Sequence, residues 1–338
     1  MRVIAGKYRG RVINIPKDDR IRPTMDRIKE TVFNIIQGYL EGARVLDLFA
    51  GTGNLGIEAL SRGASEVVFV DNHPDSISLI NKNLSKMEGN IKVVKADYSL
   101  FLQSQRDPFD VIFIDAPYHC ELGPRAVRYV IENDLLEEDG VLCFEHDAKE
   151  KLNINLPGNY VNKEKVMGNV TFNFIYKVSV GIMTGSFDPF TRGHLAILEG
   201  ALEHFDKVYV ACLINPEKKY LFSPDERVQI IEKSLLELGK KAKRVEVIFS
   251  EKDAVEVYNE LRAKALIRAI RNEKDEAYEK EMEKYNLEHG GAKTVFIDVP
   301  EPMKKFSSTE SRENIQKGIY DGIVHSAIET IKEIMERK

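Results

Sequence analysis

Val45-Leu46-Asp47-Leu48-Phe49-Ala50-Gly51-Thr52-Gly53 is an apolar run that breaks into a glycine turn. The run predicts a buried strand, and the glycines let the following backbone approach a ligand closely because they lack a Cβ. Working outward, Arg44–Leu48, Glu66–Val70, Ile91–Val94, Val111–Asp115 and Val141–Glu145 read as strands, with helices such as Leu55–Ser61 and Ser76–Met87 between them. That alternation is the βαβ rhythm of an open, doubly wound parallel sheet. Val170–Lys177 alternates in the manner of a strand and closes this half. Gly-x-Gly alone is a weak signal, and the order of the acids strengthens it. Asp71 ends the second strand, where a carboxylate can bind a ribose diol. Asp97 follows the third strand, near where an adenine amino group would lie, and Asp115-Ala116-Pro117-Tyr118 ends the fourth.

A second signature begins about 140 residues later, with Gly185-Ser186-Phe187-Asp188-Pro189-Phe190-Thr191-Arg192-Gly193-His194. Thr191-x-Gly193-His194 opens a helix just beyond a strand, so close backbone, a helix N-terminus and an imidazole converge on a phosphate-sized site. Strands are expected at Val180–Thr184, Val208–Leu213, Val245–Ser250, Ala265–Ile267 and Thr294–Asp298. Helices are expected from about Gly193 to His204, Pro224 to Leu238 and Asp253 to Ala263, with an amphipathic terminal helix in Gly318–Lys338. The expectation is α/β throughout: two consecutive doubly wound Rossmann-like domains, residues 1–177 and 178–338. The halves share architecture without an internal sequence repeat.

Composition excludes several classes. Hydrophobic content is 43% and charged content 30%, as in globular proteins. The longest apolar runs, such as Val67–Val70, are far shorter than a membrane span, and the first residues lack the apolar core of a signal peptide. Cys120, Cys143 and Cys212 have neither zinc-site nor disulfide-framework spacing, so no protein-bound metal and a reducing, cytoplasmic location are expected. Net charge is −5, against bulk nucleic-acid affinity, yet residues 1–29 hold nine basic residues and three acidic ones. Arg9, Arg11, Arg22 and Lys29 belong to this block. Two readings are open for it: a grip on phosphates, or a solvated and partly flexible arm.

The first half resembles the class I S-adenosylmethionine-dependent methyltransferases, and Asp115-Ala116-Pro117-Tyr118 is similar to the (Asp/Asn)-Pro-Pro-Tyr motif of enzymes that methylate exocyclic amines. Arg2-Val3-Ile4-Ala5-Gly6-Lys7-Tyr8-Arg9-Gly10-Arg11, Arg22-Pro23-Thr24-x-Asp26-Arg27 and Leu55–Ala64 narrow the resemblance to the bacterial small-subunit ribosomal RNA guanine-N(2) methyltransferases. Phe144-Glu145-His146 and Gly168-Asn169-Val170 fit that family's last strands. The resemblance implies S-adenosylmethionine held by Asp47, Phe49, Gly51, Gly53, Asp71 and Asp97. It implies a guanine amine held by Asp115, Pro117 and Tyr118, and ribosomal RNA or the small subunit gripped by Arg9, Arg11 and Arg22. A conjugated amine is a poor nucleophile, so the chemistry needs acceptors for its hydrogens and an aromatic face for its ring more than a strong base. Ala116 stands where the motif has its first proline. For Tyr118 the plainer reading is a loop aromatic capping the sheet; for Asp71 it is a helix N-cap. His73 and His119 read as exposed loop residues.

The second half resembles the nucleotidylyltransferases with a (His/Thr)-x-Gly-His motif. Asn215–Lys219, Phe222-Ser223-Pro224-x-Glu226-Arg227, Ile267–Arg271, Asp275-x-x-Tyr278-Glu279 and Ser307-Ser308-Thr309 make it similar to phosphopantetheine adenylyltransferase. The resemblance implies ATP with Mg²⁺ and 4′-phosphopantetheine as reactants, with Phe187 in the nucleotide loop. Ser186 and Lys218 would hold the acceptor's phosphate, with Arg268 assisting. His194 and Arg271 would contact ATP phosphates, Glu279 the ribose or base side, and the Ser307–Thr309 helix start the outer phosphates. Homo-oligomerisation through this half is also implied. Adenylyl transfer to an existing phosphate needs two anions brought together rather than an activated nucleophile, hence the cations. Alternatives stay open: Arg268 and Arg271 pairing with Asp275 and Glu279 on a helix, another acceptor such as nicotinate mononucleotide, or a degenerate ATP-binding or oligomerising module. Ala269 replaces a family glycine, and Ser250–Val255 replaces a more apolar segment.

Overall fold

The computed structural model describes residues 1–15, 26–151, 154–214, 218–270 and 273–338, the side chains of 273 and 274 excepted. The chain divides into two compact units, residues 1–156 with 160–177, and residues 157–159 with 178–338.

In the first unit the order is α1 (Asp26–Ile35), β1 (Arg44–Leu48), α2 (Asn54–Ser61), β2 (Glu66–Asp71), α3 (Pro74–Leu84), β3 (Asn90–Lys95) and α4 (Tyr98–Ser104). β4 (Phe109–Ile114), α5 (Leu122–Glu132), β5 (Leu136–Asp147), β6 (Tyr160–Met167) and β7 (Val170–Lys177) follow. The seven strands lie in the order β3-β2-β1-β4-β5-β7-β6. β1 is central and parallel to β2 and β4, with Leu48 opposite Val70 and Ile114. Alternate residues of the buried strands feed two cores, one on each face. Val45, Val111 and Phe113 pack with Phe33 on one side; Leu46, Ile112 and Ile114 pack with Phe144 on the other.

Three expectations change here. The sheet is mixed rather than wholly parallel, because β7 runs antiparallel to both β5 and β6. β6 was not expected: Val161-Asn162-Lys163-Glu164-Lys165 is mostly exposed, the charged dress of an edge strand rather than an apolar run. The basic block also has a different form in its described part. Residues 1–13 fold against α2, with Arg2 bridged to Val12 and the side chains of Val3 and Ile13 in the core. Glu58 on α2 accepts the N–H groups of Ile4 and Ala5, at 2.8 and 3.0 Å. Gly6 crosses α2 with φ 81°, so close that a Cβ would lie 1.7 Å from the Ser61 carbonyl oxygen. The flexible-arm reading therefore does not hold for residues 1–13. Lys29 falls on α1 and is fully buried, donating to the Arg2 carbonyl and Asn54 Oδ1 and pairing with Glu58 at 3.2 Å. It is a structural lysine, not part of a phosphate-facing surface.

The second unit runs β8 (Val180–Gly185), α6 (Arg192–His204), β9 (Lys207–Leu213), α7 (Pro224–Ser234), β10 (Val245–Ser250), α8 (Ala254–Glu260) and β11 (Ala265–Arg268). α9 (Glu273–Gly290), β12 (Thr294–Phe296), α10 (Glu301–Lys304), α11 (Ser308–Gln316) and α12 (Ile328–Glu336) complete it. Its five strands are all parallel, in the order β10-β9-β8-β11-β12. α7 starts at a capping box, Ser223 with Glu226, with Pro224 in the first turn. α9 was not expected as a long helix, since its charges surround the axis and leave no apolar stripe to read. The terminal helix is shorter than expected, beginning only at Ile328 after a 3₁₀ turn.

Candidate active sites

Each unit has one point where connections leave the first strand's neighbours in opposite directions: between β1 and β4, and between β8 and β11. Crevices beyond the carboxyl ends of strands at such points are where open α/β sheets bind ligands.

At the first point the loop after β1 holds Phe49, Gly51 and Gly53 at φ of 63, 56 and 76°. Gly53 immediately precedes α2, whose Gly56 N–H donates to Asp47 Oδ2 at 2.8 Å. Asp47 is 2% exposed, and burial, with Asp71 nearby, pushes its carboxyl up to about 7. Asp71 is not the cap of α3. Its Oδ2 accepts the Gly51 N–H at 2.9 Å and its Oδ1 that of His73, while His73 caps the helix by accepting from Asp75. The aspartate ties the glycine loop instead, with lone pairs left on each oxygen. Asp97 caps α4 through Ser99, whose hydroxyl and N–H hold its carboxyl below the usual range. Beside it, the Tyr98 ring lies 5.1 Å from that of Phe49.

Asp115 leaves β4 beside these groups. Burial first, then the charges of Glu145 and Asp47, push its carboxyl well above the ordinary carboxylate range. Tyr118 donates its hydroxyl to Glu145 Oε1, and Pro117 is exposed. Glu145, a buried carboxylate on β5, is a site group that sequence reading treated only as strand continuation. Arg9 is exposed, Arg11 donates to the Ser85 carbonyl, and Arg22 lies outside the described residues. Both Arg9 and Arg11 belong to the folded N-terminal segment, Arg9 exposed and Arg11 half-buried.

At the second point Thr191 caps α6, and His194 Nδ1 accepts the Thr191 N–H at 3.0 Å. A neutral imidazole that accepts at Nδ1 carries its proton on Nε2, so the ring presents a donor. Phe187 and Phe190 flank that ring, each with centroids 5.3 Å away. The start of α11 meets the start of α6: Ser308 Oγ donates to the Pro189 carbonyl at 3.0 Å and Thr191 Oγ1 to that of Phe306 at 3.3 Å. Gly193 permits this approach, since a Cβ there would lie 2.8 Å from the Phe306 oxygen. Ser307 is the N-cap of α11, and Thr309 Oγ1 accepts from Arg312. Two helix N-termini thus converge on one loop.

Arg268 ends β11, pairs with Glu279 at 2.7 Å and reaches Thr184 at 3.4 Å. The pairing of this arginine with a carboxylate on α9 is therefore realised. Lys218 is exposed, and Arg271 lies outside the described residues. Ser186 is held from behind by Arg227, 1% exposed, whose Nη1 donates to its carbonyl at 2.8 Å. Asp188 is buried and accepts the N–H groups of Leu221 and Phe222, both at 2.9 Å. Arg227 is quoted in the Phe222–Arg227 pattern without a role, because a cation just inside a helix start reads as solvated. Among the described residues no group of three His, Cys, Asp or Glu is placed to hold a metal ion, and no helix is long and apolar enough to cross a membrane.

The family described as conserved hypothetical protein 95 matches residues 1–176, and the cytidylyltransferase-like family matches residues 182–314. The first half is 34% identical over 178 residues to the ribosomal RNA small subunit methyltransferase D of Haemophilus influenzae, covering 51% of this chain and 91% of that protein. Its Escherichia coli K12 counterpart is 31% identical over 183 residues, covering 54% and 92%. The second half is 39% identical over 135 residues to the phosphopantetheine adenylyltransferase of Lactococcus lactis subsp. lactis, covering 40% of this chain and 81% of that protein. The chain belongs to both families. Two Rossmann-like domains, one methyltransferase-like and one cytidylyltransferase-like, follow one another along it.

Proposed function

We propose that residues 1–177 transfer a methyl group from S-adenosylmethionine to the exocyclic N2 amine of a guanine in small-subunit ribosomal RNA. Residues 178–338 then transfer an adenylyl group from ATP to 4′-phosphopantetheine, releasing pyrophosphate. The observation that carries this is the pair of switch points, one ringed by Asp47, Asp71, Asp115 and Glu145, the other by His194 and two helix N-termini.

When bound, S-adenosylmethionine supplies a methyl group on a positively charged sulfur. Asp71 keeps acceptor capacity for ribose hydroxyls while bracing Gly51, and Asp97 and Phe49 border the same crevice. Asp115 and the Ala116 carbonyl accept the amine hydrogens, and Tyr118 stacks on the base. An Asp115 carboxyl shifted upward is also the better base for the proton that the amine sheds as its bond to carbon forms. Arg9, Arg11 and Arg22 hold the RNA phosphates.

In the second unit the acceptor is already anionic, so the protein's task is to bring two polyanions together. His194 Nε2–H donates to the α-phosphate oxygen, whose charge rises as pyrophosphate leaves. Ser186 and Lys218 hold the acceptor's phosphate, Arg268 and Arg271 flank the reactants, and Ser307–Thr309 face the outer phosphates. Glu279 serves the nucleoside side while its Arg268 pair keeps it ordered. Mg²⁺ accompanying the triphosphate would offset part of the charge that the cations above must hold. Assembly into homo-oligomers belongs to the same reading.

Two assays test this. Mass spectrometry of ribosomal RNA from cells lacking the gene should show one guanine unmethylated and restored on complementation. Pyrophosphate release should require 4′-phosphopantetheine; turnover with nicotinate mononucleotide instead would replace the acceptor.

A further inference from the structure

We infer that Glu145 is a positioning residue for methyl transfer: by accepting the Tyr118 hydroxyl it holds the aromatic ring of the Asp115–Tyr118 loop ready for the base. The inference rests on the methyl-transfer reading above. Phe144 on β5 is registered with Ile114 on β4, so Asp115, just past the end of β4, stands level with Glu145, still inside the neighbouring parallel strand. A carboxylate 5% exposed in that position is costly to bury unless its oxygens are engaged. Tyr118 engages one of them.

The docking continues along the loop. His119, at φ 58°, donates its N–H to Glu150 Oε1 at 2.6 Å, and its ring lies 3.2 Å from Glu150 and 3.6 Å from Asp147. Residues 118 and 119 are thus tethered in succession to the end of β5 and the turn beyond it. A loop aromatic rotates about two side-chain torsions; an anchored hydroxyl removes that freedom before the base arrives, which favours the rate more than cofactor affinity. The charge of Glu145 acts in addition on Asp115, as does that of Asp47 on β1.

The test measures methyl transfer from S-adenosylmethionine to small-subunit ribosomal RNA by the full chain and by four variants: Tyr118→Phe, Glu145→Ala, Glu145→Gln and Tyr118→Phe/Glu145→Ala. The two disruptive single variants should each lower kcat about tenfold with KM for S-adenosylmethionine unchanged. The double variant should be no slower than the slower single one, because both remove the same contact. Glu145→Gln keeps an acceptor oxygen and should stay within about threefold of the wild type. Its acid limb should move to lower pH, since Asp115 loses a like-charged neighbour. Additive losses in the double variant, cofactor affinity falling with kcat, or Glu145→Gln as slow as Glu145→Ala would overturn the inference while leaving the proposed activity intact. A wild-type chain that methylates no ribosomal RNA would overturn the activity and the inference together.

Discussion

The crevice between β1 and β4 and the crevice between β8 and β11 occupy the same place in their sheets and carry opposite chemistry. Around the first stand Asp47, Asp71, Asp115 and Glu145; burial first, and the neighbouring carboxylates second, push two of these carboxyls up. Around the second stand an imidazole aimed by its own N-cap, Arg268, Arg227 behind the loop, and the positive ends of α6 and α11. The topology chooses where a ligand sits; the side chains at the strand ends choose its charge. A sulfonium suits the first, a triphosphate the second.

That contrast can be broken most forcefully at His194. His194→Ala should lower adenylyl transfer by a factor on the order of a hundred, the usual result of losing one donor to developing charge, and leave RNA methylation unchanged. A normal rate would remove the imidazole from the chemistry. Lys29→Ala should destabilise the first unit by about 3 kcal/mol, because Glu58 loses a buried partner. Urea denaturation checks it; a loss of RNA affinity without a loss of stability would return Lys29 to the phosphate-facing set. Reversing charge at Arg9 and Arg11 should weaken RNA binding about tenfold at low salt, with S-adenosylmethionine affinity intact. Equal loss of both would end the RNA-grip reading.

The smallest expected effect is on pH. Asp47 is held protonated up to about 7 in the fold, whereas the unfolded carboxyl titrates near about 3.9. The folded chain therefore binds the extra proton between those values, so stability falls as pH rises from about 4 to about 7 and levels off above. Asp47→Asn should flatten this slope, raising Tm by about 4 °C at pH 8 relative to the wild type's own loss. An unchanged slope would place Asp47 in a more polar setting than its burial indicates.

Much of the architecture was readable because buried parallel strands are written as apolar runs. β1, β2 and β4 are such runs, each bounded by turn residues, and the glycine loop after β1 follows the strand directly. β6 and α9 were not readable, for one reason: both carry charge where a pattern reader looks for apolar residues, β6 as a sheet edge and α9 with charges around its axis. Site groups divide in the same way. The patterns around Asp115 and His194 also announce their chemistry, while Glu145 and Arg227, though quoted in patterns of their own, act through partners 27 and 41 positions away. Lys29 shows the limit of counting charges, since its charge is spent inside the fold on Glu58. Only tertiary contacts distinguish it from Arg9.

The measurement that reaches the central claim most directly is a calorimetric titration of the full chain with S-adenosylmethionine and with ATP, each alone and each in the presence of the other, across a salt series. Two separate sites of opposite charge predict independent binding, with ATP affinity falling steeply as salt screens a polyanion in a cationic crevice and S-adenosylmethionine affinity changing little. Displacement of one ligand by the other, or equal salt dependence for both, would contradict the account.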